Sequence, residues 1–218
     1  MKISVVVPAR NAELFLAEAL ASIFGNACAP LEVIVIDDGS TDNTIAVASR
    51  FPVSCHSQPA RGVSAARNAG WQSASGELLA WLDADDRWTP GRLERQLQAL
   101  DEPGVDVVYG HVRQFAGGEG SARDVWLGPP LPGRVPGSML IRRELFAAVG
   151  GFDEGLRAGE FMDWLVRAQA RGLREKMLEE VCLERRIHER NLGRALPDRR
   201  DYLQVARRSL QQARRERG

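Results

Sequence analysis

Lysine is almost missing from this 218-residue chain: only Lys2 and Lys176 stand among its 29 basic residues, and the rest are arginine. Arginine suits planar, bidentate recognition of carboxylate and phosphate, although a compositional bias of the genome explains the skew equally well. Acidic residues also number 29, so the formal net charge is zero and no global field favours nucleic acid. Cysteine is scarce too. Cys28, Cys55 and Cys182 are odd in number, far apart and in no zinc or redox spacing, which excludes a disulfide framework and predicts reduced core thiols in a cytosolic protein. No run approaches the roughly 18 apolar residues that span a bilayer. The apolar residues from Ile3 to Val7 are too few for a signal peptide and read as a buried first strand. Any membrane association is therefore expected to be peripheral, and no internal repeat or low-complexity tract interrupts the chain.

What is present is an alternation of strand and helix signals. Ile3 to Val7 reads as strand, Ala12 to Phe24 as helix, Leu31 to Ile36 as strand and Thr41 to Arg50 as helix. An extended piece from Val53 to Ser57 follows, then helix from Val63 to Ser73, strand from Leu78 to Leu82 and helix from Gly91 to Leu100. Such alternation predicts an α/β fold, a Rossmann-like, mostly parallel central sheet flanked by helices. Val105 to Tyr109 gives a further strand. Glycine-rich residues 116–120 and Gly128-Pro129-Pro130-Leu131-Pro132-Gly133 then predict long irregular structure, with Trp126 on a lid. Ser138 to Arg142 resumes strand, Arg143 to Val149 and Glu160 to Arg171 read as helices, and Val181 to Ile187 as strand. The tail from Arg194 to Gly218 carries eight arginines against three acids, with Tyr202, Val205, Leu210 and Ala213 at helical spacing. It predicts a basic terminal helix, docked by its apolar stripe or lying on an anionic membrane surface.

Two strands end in acids. The run Leu78-Leu79-Ala80-Trp81-Leu82 stops at Asp83-Ala84-Asp85-Asp86, and Val35-Ile36 stops at Asp37-Asp38-Gly39-Ser40. The carboxyl ends of parallel strands form the rim where ligands of open α/β sheets sit. Asp83 and Asp85, two apart, share one side if strand geometry persists, with Asp86 opposite. Carboxylates gathered at one edge are unfavourable without a cation or donors to hold them, and their hard oxygens suit Mg²⁺ or Mn²⁺. The plainer alternative for each is an acidic turn that caps the next helix.

These segments, with Val5-Val6-Val7-Pro8-Ala9-Arg10-Asn11, Gly62-Val63-Ser64-Ala65-Ala66-Arg67-Asn68-Ala69-Gly70, Val149-Gly150-Gly151-Phe152-Asp153-Glu154 and Arg186-Ile187-His188-Glu189-Arg190-Asn191, together resemble the family 2 glycosyltransferases of GT-A fold. The resemblance runs from Ile3 to about Asn191. It implies that the turn of Pro8, Ala9 and Arg10 lies by the nucleoside, that Asp38 accepts a hydrogen bond from the base, and that Asp83 holds the ribose. It also implies that Asp85 binds a divalent Mn²⁺ or Mg²⁺ on the diphosphate, with His188 contacting metal or diphosphate. Arg67 is placed in a nucleotide or structural role.

An inverting member of this family carries its general base in a Glu-Asp pair at the start of a late helix. Here the matching stretch is Gly159-Glu160-Phe161-Met162-Asp163, so Phe161 stands at the position of the family's Asp. Glu160 at the helix N-terminus is the expected base and Asp163, one turn on, the fallback. Residues 1–110 are expected to bind the nucleotide-sugar, UDP-linked by preference, and metal. Residues 111–193 are expected to bind an acceptor hydroxyl of a glycan, natural product or protein, and 194–218 to form the basic helix. The Gln-x-x-Arg-Trp motif of processive synthases is absent, which points to single addition. Phe161 also admits a nucleotide-sugar-binding protein without catalysis. A nucleotidyltransferase is disfavoured because the first-strand turn lacks a glycine-rich loop.

Overall fold

The computed structural model describes residues 1–117 and 124–188. The basic helix expected over 194–218, and Asn191 of the late histidine segment, lie outside these residues. The chain begins as β1 (Ile3–Ala9), α1 (Leu16–Phe24), β2 (Glu32–Asp37), α2 (Thr44–Ala48), β3 (Ser54–Ser57), α3 (Val63–Ser73) and β4 (Leu78–Trp81). It continues through β5 (Arg87–Trp88), α4 (Arg92–Leu100), β6 (Val107–Ala116), β7 (Val125–Trp126) and β8 (Leu131–Gly133). A single 3-10 turn precedes β9 (Leu140–Arg142), which leads to α5 (Arg143–Val149), α6 (Glu160–Ala170) and β10 (Glu175–Ile187).

All ten strands of the described residues join one sheet, with the path β3-β2-β1-β4-β9-β6-β10-β5, and β7 and β8 pair with β6. Strands β3, β2, β1 and β4 run parallel, as do β6 and β10, whereas β9 enters antiparallel to both β4 and β6. The expected donor and acceptor halves therefore share a continuous sheet rather than a linker. Every residue of β1 and of β4 is buried, because helices cover both faces. Val5, Val7 and Leu78 pack with Leu16, Leu20 and Leu93 on one side; Val6, Leu79 and Trp81 pack with Phe146, Phe152 and Trp164 on the other. Gly70 lets α3 lie directly on β1, since a Cβ there would come within 2.2 Å of Val6 Cγ1.

Several boundaries differ from the sequence expectation, each for a local reason. Helix α1 starts at Leu16 and α2 at Thr44, because residues 11–13 and 40–44 are tied to one another instead of being wound into helix. Strands β6 and β10 are longer than their apolar cores. The first part of β10, Glu175-Lys176-Met177-Leu178-Glu179-Glu180, is mostly half-exposed and charged, so hydrophobic pattern does not mark it. Inside α4, Arg92 is fully buried without a carboxylate partner. It donates to Gln96 and to the Gly137 and Met139 carbonyls, stacks 3.9 Å from the Trp88 ring, and burial pushes it down to about 9.

Candidate active site

Parallel pairing brings the ends of β1, β2 and β4 to a common rim, with Ala9 opposite Asp37 and Val6 opposite Trp81. Just past β1 the chain reverses through Asn11, whose φ of 49° is a left-handed conformation that asparagine tolerates. The Asn11 amide donates to Ser40 Oγ at 2.9 Å, and Asn11 Oδ1 accepts the Thr41 amide at 2.8 Å. The Ala12 amide donates to Thr44 Oγ1, and Glu13 Oε2 accepts the Asn43 amide. These bonds lock the first turn to the second. Pro8 and Ala9 are buried in β1 and offer only backbone to a ligand, whereas Arg10 is exposed and has no hydrogen bond or ion pair among the described residues.

Asp38 is buried and already occupied. Its Oδ1 accepts from Gln58 Nε2 and the Arg61 amide, and its Oδ2 from the Gly62 amide, all at 2.8 Å. This carboxylate shapes the segment from Gln58 to Gly62 that leads into α3, leaving one lone-pair direction for a base. Gly39, at φ +74°, takes a backbone conformation that side chains disfavour, and a Cβ there would come within 3.0 Å of the Ala60 amide nitrogen.

The acidic segment after β4 departs from the expected alternation. Strand geometry stops at Trp81, and the Asp86 amide donates to the Asp83 carbonyl at 3.0 Å, closing a turn. Its three carboxylates consequently meet three different partners. Asp83 Oδ1 accepts from Arg67 Nη2 at 2.8 Å, Asp85 Oδ2 lies 3.0 Å from His188 Nε2, and Asp86 Oδ1 accepts the Arg186 amide at 2.9 Å. Burial, then the charge of Asp83, raises the Asp85 carboxyl, with His188 opposing. Burial and the charges of Asp85 and Asp83 push Asp86 well above the ordinary carboxylate range.

His188 is stacked on Phe15 with ring centroids 4.9 Å apart. Arg186 Nε donates to the Asp85 carbonyl at 3.0 Å, and its guanidinium lies over Phe15 and Phe115 and also pairs with Glu18. Among the described residues no group of three or more His, Cys, Asp or Glu side chains is arranged to hold a metal ion. The Asp85–His188 pair supplies two donors, which fits a cation that completes its shell with water and phosphate oxygens.

Arg67, expected in a nucleotide or structural role, has both terminal nitrogens engaged by carboxylates. Its side chain is only 5% exposed; Nη2 holds Asp83 and Nη1 holds Glu160 Oε1, both at 2.8 Å. The same residue thus joins the acidic turn to the first residue of α6. Among the described residues Glu160 Oε2 takes part in no hydrogen bond, so one oxygen of the expected base is fixed and the other has no partner there. Asp163 points inward instead: it is buried and pairs with Arg167 at 2.9 Å, and Arg167 in turn donates to the carbonyls of Val149 and Gly151. Phe161 has joined the core, 6.3 Å from Phe152 and 5.8 Å from Trp164 between ring centroids.

Sequence reasoning missed the second half of this clamp. Asn68 Nδ2 donates to the Phe152 carbonyl and to Glu154 Oε1, its Oδ1 accepts the Phe152 amide, and Arg61 pairs with Glu154. Its adjacency to Arg67 on α3 was the available signal. The bonding roles of Asp86 and Arg186 were also not foreseen.

This arrangement has counterparts. An uncharacterized glycosyltransferase of Nostoc sp., alr2836, is 34% identical over 118 residues, covering 51% of this chain and 37% of that protein. The UDP-Glc:alpha-D-GlcNAc-diphosphoundecaprenol beta-1,3-glucosyltransferase WfgD of Escherichia coli is 32% identical over 113 residues, covering 50% and 45%. The chain spans less than half the length of these two relatives. Among solved structures, S. aureus TarS 1-349 in complex with UDP-GlcNAc superposes with a TM-score of 0.79 at 22% identity, covering 97% of this chain and 66% of that one, a likeness of fold. The model described as Glycosyl transferase family 2 matches residues 4–150, which takes in the first turn, Asp37-Asp38, the Arg67-Asn68 helix and the acidic turn. With that match over most of its length, the chain belongs to glycosyl transferase family 2 and has the GT-A fold.

Proposed function

We propose that the protein moves a sugar from a UDP-sugar to an acceptor hydroxyl with inversion, using Asp85 and His188 to hold Mn²⁺ or Mg²⁺. One observation carries this reading: Arg67 ties Asp83 of the acidic turn to Glu160, so a donor-side carboxylate and a carboxylate with one open oxygen face the same cleft. A UDP donor is supported by the relative named for UDP-Glc and by the fold neighbour that carries UDP-GlcNAc. Residues 1–110 would bind the donor, and 111–193 the acceptor, a glycan, natural product or protein. Arg10 and the backbone of Pro8 and Ala9 would lie by the nucleoside, with the remaining lone pair of Asp38 on the base and Asp83 on the ribose.

A bound divalent cation would neutralise charge growing on the departing diphosphate. Glu160 Oε2 would take the proton from the acceptor hydroxyl as the acceptor oxygen attacks the anomeric carbon, opposite the breaking bond to UDP. Arg67 would keep Glu160 aimed while this happens. Asp163, held by Arg167, would support the helix rather than act as base. The test is calorimetric binding of UDP, GDP, CDP and dTDP, with and without Mn²⁺, to the wild type and Asp85→Ala. Metal-dependent binding of one nucleotide, lost in Asp85→Ala, supports the reading; no binding of any nucleotide overturns it.

Phe161 motivates a second reading, a nucleotide-sugar-binding protein without transfer. Metal-dependent UDP binding combined with no UDP release from any UDP-sugar, for wild type and Glu160→Gln alike, would select it. No helix among the described residues is long and apolar enough to cross a membrane. A peripheral contact through residues 194–218 remains part of the proposal, with a cytoplasmic location.

A further inference from the structure

Ten large apolar side chains are exposed among the described residues, and four of them fall within seven positions: Val125 at 60%, Trp126 at 41%, Leu127 at 42% and Leu131 at 64%. They sit on the ribbon formed by β7, β8 and the Gly128-Pro129-Pro130 link between them. Strand β7 pairs with Phe115 and Ala116 and β8 with residues 110–112, and the Leu127 amide donates to the Gln114 carbonyl at 2.9 Å, so the ribbon runs along the edge of β6. Below it lies a cleft of about 230 Å³, walled by Leu127, Pro129 and Leu131, with Gln114 and Arg185 on its polar side.

The charges around this ribbon are not balanced. Asp124 is paired with Arg87, Arg113 with Glu184 and Arg134 with Glu175, whereas the Arg185 side chain makes no hydrogen bond or salt bridge among the described residues and feels only the more distant charge of buried Asp86. No carboxylate of residues 124–135 is left uncompensated. The surface is thus an apolar tip with a spare cation at its base. Trp126 adds an aromatic ring capped by the Arg113 guanidinium, 3.5 Å from its centroid, an amphipathic pairing suited to a boundary between water and hydrocarbon.

We propose that this ribbon seats the protein on an anionic lipid bilayer. Val125, Trp126, Leu127 and Leu131 enter the headgroup–acyl boundary, and Arg185 meets lipid phosphate. A second copy of the chain is a poorer occupant. The four side chains expose on the order of 400 Å² together, half of the ~800 Å² each partner contributes to a standard interface. The strands are also only two and three residues long and present no flat face. This contact does not depend on sugar transfer.

The test is co-sedimentation of the full chain with vesicles of phosphatidylcholine alone and of phosphatidylcholine mixed with phosphatidylglycerol. It compares wild type, Val125→Asp/Leu131→Asp and Arg185→Gln, with thermal midpoints as the folding control. All three side chains are outside the packed core, so the variants are expected to fold. The wild type should sediment with the anionic vesicles, Val125→Asp/Leu131→Asp should lose about tenfold in partitioning, and Arg185→Gln should lose only the preference for phosphatidylglycerol. Absence of sedimentation, sedimentation unchanged in the ribbon variant, or a dimer broken by Leu131→Asp without vesicle binding would each overturn the proposal. Equal sedimentation on both vesicle types would overturn the role given to Arg185.

Discussion

Removing the Arg67 guanidinium should cost both stability and transfer, and the two losses should separate in a double-mutant cycle. In the wild type its two terminal nitrogens hold Glu160, 16% exposed, and Asp83, 37% exposed, each at 2.8 Å. Breaking a buried ion pair typically costs 3–5 kcal/mol, chiefly by stranding the surviving charge. Asp83 is partly solvated and recovers water, so Arg67→Met should lose about 3 kcal/mol, roughly 6–12 °C in Tm for a chain of this size. Much of that loss is Glu160 left without a partner. Arg67→Met/Glu160→Gln should therefore be more stable than Arg67→Met, by about 1–2 kcal/mol. Arg67→Lys should fall between, because an ammonium cannot span two carboxylates as a planar fork does. On the kinetic side, with UDP release as the readout, Arg67→Lys should lower kcat by about tenfold or more through a misaimed Glu160 and leave KM for the donor nearly unchanged. Urea unfolding gives the stabilities. Strict additivity of Arg67→Met and Glu160→Gln would refute the coupling, and a raised donor KM with unchanged kcat would return Arg67 to the nucleotide.

Three further perturbations test other parts of the structure. Asp85 and Asp86 have raised proton affinities, so between the ordinary value of 3.8 and their raised values the folded state binds protons that the unfolded state has released. Their contribution to stability thus grows as pH falls and is unfavourable near neutrality. Without metal at pH 7.5, Asp86→Asn, which retains the acceptor for the Arg186 amide, should have a higher Tm than wild type, and the difference should vanish at about pH 3, where both carboxyls are protonated in either state; a lower Tm at pH 7.5 would contradict it. Mn²⁺ should raise the wild-type Tm at pH 7.5 and leave that of Asp85→Ala unchanged, as measured by differential scanning fluorimetry. Phe161→Asp, which restores the family's residue, should destabilise by at least ~3 kcal/mol in urea unfolding, because it removes a core ring beside Phe152 and Trp164 and buries a carboxylate there.

The parallel half of the sheet was legible because its strands are apolar on both faces and its turns carry their own chemistry. Val5-Val6-Val7-Pro8 and Leu78-Leu79-Ala80-Trp81 cannot be mistaken for surface strands, and Val63–Ser73 and Arg143–Val149 match the expected helices residue for residue. The rest failed where neighbours, not local pattern, decide conformation. Residues 41–43 looked helical, yet Asn11 and Glu13 offer the amides of Thr41 and Asn43 better-placed partners. Glu175 to Glu180 carried no strand signal, yet β6 supplies a ladder from Val107 onward. At the site, motif order singled out the carboxylates along the chain but could not give their orientations. Two residues apart on a strand means the same face; two residues apart in a turn does not.

That difference explains why the acidic segment organises the site beyond its local turn. Held as a strand, Asp83 and Asp85 would repel across one face. Folded as a turn, Asp83 reaches α3 through Arg67, Asp85 reaches His188 just past the end of β10, and Asp86 takes the Arg186 amide two residues earlier. Each acid thereby anchors a different element to the rim, and Arg67 extends the first of these links across the cleft to α6. The elements so joined are those that would hold donor and acceptor, and only two of the three acids have a cationic or ionisable partner. Asp86 is held only by the Arg186 amide and the more distant charge of Arg185, and burial with the charges of Asp85 and Asp83 outweighs both, which is why its carboxyl, and not that of Asp83, is pushed well above the ordinary range.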